Sequence, residues 1–329
     1  MPRIKDWVTH CVIYLYQSEN DADEGAKNGG TGFLVETPSA HKGLSYVTAV
    51  TNRHVIEEEH APVIRLNTKD GQREILPVTE GMWRFHPAGF DIAAVLLGLS
   101  RDKYELNAVP ERFFLSTELI DDFGIGLGDD LYLTGRFINH EGKQKNWPTV
   151  RFGTIAMMNN EEIVGYRDKP QESFLIEVRT IGGYSGSPAF VMLDNHRWAE
   201  HPNYKHLADR RHLQWLLGIE YGNFLVSSER VYYRRDGQFE QHEELVTRAN
   251  TGISAVLPAW EILRAVHHED FDKMRKESDK EISRKKAQSP VTLTGSGGKQ
   301  KRKTRDIEIS PIGREKFFEK LIKATERKN

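Results

Sequence analysis

From residue 7 to residue 258 the chain is a succession of short runs rich in Val, Ile, Leu, Tyr and Phe, cut at intervals by Gly, Asn and Asp. Almost nothing in that stretch repeats with the 3.6-residue period of a helix. The runs at 7–16, 30–37, 45–51, 62–68, 91–98, 131–138, 149–158, 173–180, 187–193, 214–222 and 253–258 read as strands bounded by turn residues. A strand buries its apolar face only against another sheet, so a series of this kind predicts an all-β sandwich or barrel. At 329 residues the chain exceeds a usual domain of about 100 to 200 residues. One large β domain over residues 1–270, with appendages after it, is therefore expected.

The appendages differ in texture. Residues 259–277 form an amphipathic pattern with Trp260, Leu263, Val266 and Phe271 near one face, which predicts a helix. Residues 271–309 are charged and polar and are expected to be a flexible linker. Ser310 and Pro311 then supply an N-cap and first-turn pair for a closing amphipathic helix over 310–329, with Phe317, Phe318, Leu321 and Ile322 on one face. Two polar insertions, 194–212 and 227–248, interrupt the β region; Asp236-Gly237 in the second predicts a projecting hairpin.

Charge and cysteine content narrow the function classes. Lys and Arg nearly balance Asp and Glu, leaving a net charge of −2, so no global electrostatic partner is implied. The basic run at 299–305 reads as part of a solvated tether, and nucleic acid is not an expected partner. Cys11 is alone and cannot form an internal disulfide, which fits a reducing compartment; a cytoplasmic location is expected. The apolar run near the N-terminus is interrupted by Thr9 and His10 and reads as a strand, not an export signal. No window approaches the roughly 20 apolar residues a membrane-spanning helix needs. His201, His206 and His212 lack accompanying acids, and GIGLGDD at 124–130 lacks the helix and lysine of a phosphate loop, so no metal and no cofactor are expected.

The stretch TIGGYSGSPAF, residues 180–190, strips the side chains from around one hydroxyl, Ser185. A serine hydroxyl is a weak nucleophile unless a base sits beside it and donors await the oxyanion it creates. Glycines permit the backbone to turn two N–H groups toward one point, and those of Gly183 and Ser185 are placed to be that pair. His54 stands at the end of the strand YVTAVT and is the candidate base. Asp91, an acid at the head of the apolar run IAAVLL, needs a buried partner and is the candidate to hold the imidazole.

GTGFLV, TNRHV, DIAAVLL, GGYSGSPAF and LLGIEYG, in that order, resemble the trypsin-like (chymotrypsin-fold) serine peptidases, in particular their disulfide-free bacterial and intracellular branch that includes the HtrA-type proteases. The resemblance covers about residues 8–265 and leaves the tail outside it. It implies two antiparallel Greek-key β-barrels with a cleft between them. It further implies His54 as base and then acid, Asp91 as its orienter, Ser185 as nucleophile, and Gly183 with Ser185 as oxyanion donors. Arg179, six residues before the serine, would floor a specificity pocket that favours acidic side chains. Glu220, Tyr221 and Gly222 would form the strand and wall against which a protein or peptide substrate pairs.

Secreted members of the family carry Asp just before the serine, to pair with a newly cut N-terminus; here that residue is Tyr184. Activation by that ion pair is not expected, and another contact must order the loop. A serine endopeptidase is the reading these residues favour. The alternative is a partner-gated or weakly active recognition module whose cleft binds one regulatory protein.

Overall fold

The computed structural model describes Ile4 and residues 6–288, apart from 100–102, 105–106, 141, 143–144, 165–166, 168, 180–181, 194–196, 198–212, 228–231, 236–237 and 242–247. The expected terminal helix over 310–329 and the basic run at 299–305 lie outside the described residues.

The first half is a sheet of eight strands: β1 (Val12–Tyr16), β2 (Thr31–Pro38), β3 (Ser45–Thr51), β4 (Val63–Asn67), β5 (Arg73–Leu76), β6 (Arg84–Phe85), β7 (Ala93–Leu97) and β8 (Val109–Pro110). Their order is β5-β4-β1-β2-β3-β7-β6, with β8 added parallel to β2. Among the described residues no ladder joins β5 to β6 or β7, so this half is a half-barrel. Three helices decorate it: α1 (Asp6–His10), α2 (Glu19–Glu24) and α3 (Arg53–Glu57).

After α4 (Thr117–Phe123), the second half contains β9 (Asp130–Gly135), β10 (Thr149–Met157), the short pair β11 (Glu162–Val164) and β12 (Pro170–Glu172), then β13 (Phe174–Glu177), β14 (Pro188–Leu193) and β15 (Leu213–Ser227). It ends with β16 (Tyr232–Arg235), β17 (Gln238–Gln241) and β18 (Arg248–Pro258). Six of these close a barrel in the order β10-β13-β18-β15-β14-β9, every pairing antiparallel. β9, β10 and β13 run as a meander, and β14 returns to lie beside β9, which is a Greek-key order. The all-β architecture expected from the strand texture is thus the observed one; of the two barrels the resemblance implies, the second is closed and the first is a half-barrel among the described residues. β16 and β17 pair antiparallel with Arg235 opposite Gln238, as the hairpin reading requires, although the Asp236-Gly237 turn itself lies outside the described residues.

Two helices follow: α5 (Ala259–Val266) and α6 (Glu269–Gln288). The expectation of a flexible linker from residue 271 is corrected here, since α6 runs to Gln288. Its first turn carries Glu269, Asp270 and Asp272 and its last turn Lys285 and Lys286, charges placed to favour the helix dipole at both ends. Asp279 docks it on the first half by accepting hydrogen bonds from Ser39 Oγ (2.6 Å), Tyr46 Oη (2.7 Å) and the Ala40 N–H (3.2 Å). Of the expected stripe Trp260, Leu263, Val266 and Phe271, Val266 and Phe271 are buried in the core; the rest of the buried apolar face of α5 is Ala259, Ile262 and Ala265. Trp260 turns instead to the second barrel, edge-on to Phe174 at 6.0 Å.

One apolar cluster fills the first half and extends through Tyr132, Phe190 and Ile219 onto the face of the closed barrel, so the halves share a packed interface. A second cluster, including Leu131, Leu133, Phe174, Ile176, Val191 and Leu217, fills the barrel interior. Among the described residues no helix is long and apolar enough to cross a membrane.

Candidate active site

Strand register brings His54 and Asp91 together. β3 and β7 pair antiparallel with Thr51 opposite Ala93, so the residues just beyond Thr51 and just before Ala93 emerge at the same end of one ladder. There the chain leaves β3 and turns into α3, whose second residue is His54. The contact is double: Asp91 Oδ2 lies 2.7 Å from His54 Nδ1, and Oδ1 accepts the His54 backbone N–H at 2.9 Å. An ionised carboxylate only accepts, so Nδ1 carries the ring proton and Nε2 is the acceptor atom of the neutral imidazole. That is the tautomer of a general base.

Asp91 is itself held. It is 1% exposed; Asn52 Nδ2 donates to its backbone oxygen at 2.9 Å, and its N–H donates to Gln171 Oε1 at 2.6 Å. Gln171 is buried on β12, so the second half fixes the backbone of an acid carried by the first. Burial by itself would lower the affinity of His54 for a proton. The Asp91 hydrogen bond and the charges of Asp91, Glu59 and Glu220 outweigh it, and the pKa is raised above the ordinary 6.5.

Ser185 lies in the turn between β13 and β14, half-buried. Its carbonyl accepts the N–H of Thr31 at 2.8 Å, and Thr31 Oγ1 donates to the carbonyl of Gly183 at 2.6 Å. Thr31 opens β2, so the first half clamps the serine turn of the second from two sides. The close approach explains its glycines. A Cβ on Gly30 would stand 3.0 Å from Ser185 O and 2.9 Å from Val55 Cγ2, and one on Gly186 only 1.9 Å from Thr31 O. Gly30 therefore touches both the serine turn and α3, the helix that carries His54. Gly183 and Gly186 have φ of +93° and +90°, the left-handed region where a side chain is strained.

Tyr184 is 1% exposed. Its hydroxyl meets Thr149 Oγ1 and accepts from Arg151 Nε at 3.2 Å, both on β10. A buried tyrosine thus anchors the serine turn to the barrel wall, with no ion pair.

The substrate-binding residues expected from the sequence divide. Glu220 is corrected: its side chain is 1% exposed, its N–H donates to Ser187 O and its carbonyl accepts from Gly186 N, both at 2.9 Å. Its buried side chain therefore offers no wall to a substrate, while its carbonyl keeps a second lone pair. Tyr221 is half-buried with its hydroxyl 2.9 Å from Ser173 Oγ, and Gly222 has open space where a side chain would stand. Arg179, two residues past the end of β13, is exposed.

Sequence reading missed Thr31, Asn52 and Gln171, and it named Tyr184 without its partners on β10. Asn52 is within two residues of His54, so proximity in the chain was a signal for it. Gln171, 80 positions from its partner, carried none. Among the described residues no cluster of three or more His, Cys, Asp or Glu could hold a metal ion, while His201, His206 and His212 lie outside them.

The half-barrel sheet beside a closed six-stranded Greek-key barrel is the two-part architecture of a trypsin-like fold. No protein-family model matches the chain, and no curated protein matches it in sequence. Among solved structures it is similar to Deg5, at 16% identity and a TM-score of 0.40 over 65% of this chain and 80% of that one. It is also similar to the Rv3671c protease of M. tuberculosis in an inactive form, at 14% identity and a TM-score of 0.38 over 79% of this chain and 89% of that one. A third likeness is to the HtrA-type protease AlgW solved with a decapeptide, at 16% identity and a TM-score of 0.40 over 79% of this chain and 66% of that one.

Proposed function

We propose that the chain is a serine endopeptidase working through an acyl-enzyme. The observation that carries the reading is the grip of one buried carboxylate on both the ring and the backbone of His54, at 2.7 and 2.9 Å. A structural histidine needs no such double tether, whereas a base that must present Nε2 in one orientation through a proton-transfer cycle does.

In the proposed cycle Ser185 Oγ attacks the scissile carbonyl as His54 Nε2 takes its proton. Asp91 stabilises the imidazolium, and the amide N–H groups of Gly183 and Ser185 receive the oxyanion. His54 then protonates the leaving amine, which departs, and water repeats the sequence on the acyl-enzyme. Tyr221 and Gly222 would line the pairing edge for an extended peptide. Two features support a serine turn ready to work without zymogen cleavage: its clamp to Thr31 and the anchoring of Tyr184 on β10.

A fluorophosphonate probe tests this on the full chain. Stoichiometric labelling mapped to Ser185 by mass spectrometry is expected, with label and peptide turnover both lost in Ser185→Ala, the latter by roughly 10⁴-fold or more. Undiminished turnover in that variant would refute the assignment.

A further inference from the structure

Glu220 leaves the substrate wall for a different place. It lies where the β15–β18 register slips between Glu220 and Gly222, a bulge that re-aims a side chain. Its backbone bonds to Gly186 and Ser187 lock it behind the serine turn. The carboxyl is buried, and its Oε2 has no hydrogen-bond partner among the described residues, nor does any cation form an ion pair with it there. The titratable groups it faces are those of the candidate site. His54 on α3 and Asp91 at the head of β7 both lie within electrostatic reach, and Tyr221 on its own strand adds a phenol. Beyond them, Glu59 acts on His54 from just past the end of α3, and Arg136 acts on Glu59.

A charged carboxylate buried with one oxygen unsatisfied is costly, so the proton-bearing form is favoured. Burial pushes the Glu220 carboxyl up to about 7, against the opposing pull of His54.

We propose that Glu220 is a positioning residue acting through His54: its neutral carboxyl leaves the imidazole free to serve as base, and its ionised form favours the imidazolium. The inference rests on the proposed role of His54. Its physical content is one negative charge, present or absent, beside a His-carboxylate pair. Two carboxylates facing one imidazole hold its proton more tightly than one does, so the three groups titrate as a coupled set.

NMR titration of the His54 ring in the full chain tests this without requiring activity, using a Ser185→Ala background with and without Glu220→Gln. Removing the charge lowers the His54 midpoint by roughly 0.5 to 1 pH unit. Glu220→Ser, smaller and uncharged, is expected to give the same shift and guards against a folding defect in the first variant. In chains that retain Ser185, the acid limb of kcat/KM should move to lower pH in step with the NMR midpoint. An unchanged midpoint in both variants overturns the proposal even if the protein cleaves peptides. A lowered midpoint in a protein that cleaves nothing would keep the coupling and end the peptidase reading instead.

Discussion

The barrel of the second half closes by its own strands, β9 pairing with both β10 and β14 to complete the ring. The first half leaves β5 and β6 unjoined among the described residues and draws on distant chain for cover: α5 buries Ile262, Ala265 and Val266 in its core cluster, and α6 adds Phe271. His86 Nε2 stands 2.8 Å from Glu261 Oε2, and Arg84 Nε donates to Asp270 at 2.8 Å, so polar contacts reinforce the same join. The candidate site is divided along this line. The base and its acid stand on the open half, and the serine turn on the closed one, with α5 packed against both. Assembly of the site thus depends on segments that follow the last barrel strand, and each variant below acts on one side of that division.

The largest effect is expected at Asp91. Asp91→Asn keeps the shape of the side chain but lets it donate, which disfavours the Nδ1–H tautomer; kcat should fall by roughly 10⁴-fold with the fold retained. A loss of less than tenfold, measured on a peptide substrate, would show that the doubly tethered pair is structural. Next, Ile262→Ala removes a fully buried side chain from the cover of the first half and should cost about 2 to 4 kcal/mol in urea unfolding. If the halves unfold separately, the transition of the first moves and that of the second does not.

Asp279→Ala should cost less, roughly 1 to 2 kcal/mol, because the hydrogen bonds it removes sit at a half-buried edge. Burial alone would raise the Asp279 pKa, but the hydrogen bonds from Ser39, Tyr46 and Ala40 leave it lowered. A carboxylate with a lowered folded pKa contributes stability that is present above its unfolded value, near 4, and is lost as pH falls through the folded one. The docking of α6 should accordingly loosen in acid in the native chain, and hydrogen exchange in residues 269–288 should lose that acid dependence in Asp279→Ala. The smallest effect is a matter of profile. Because His54 is raised and must be neutral to act as base, kcat/KM should fall as pH drops through a midpoint above about 6.5. A midpoint well below that would mean the carboxylates around His54 do not reach it.

What could be read in advance was local. The β texture was legible because strand-forming runs and turn residues act over a few positions, and the β16–β17 hairpin because Asp-Gly favours a tight turn whatever surrounds it. His54 and Asp91 were legible as candidates since each is a polar residue at the edge of an apolar run. The start of α6, to residue 277, falls inside the expected helix; its continuation to Gln288 does not, because that part has low mean hydropathy and its closing bases look like linker charge.

The sequence by itself determined that the chain would be mostly β, that one glycine-flanked serine would be exceptional, and that a histidine and an aspartate stood ready to join it. Tertiary structure alone decided that Glu220 faces inward, that Tyr184 anchors the serine turn, that Gln171 holds Asp91, and that Asp279 meets Ser39 from 240 positions away. The reason is physical: burial and hydrogen bonding depend on which atoms arrive beside a residue, and neighbours in the chain do not determine that.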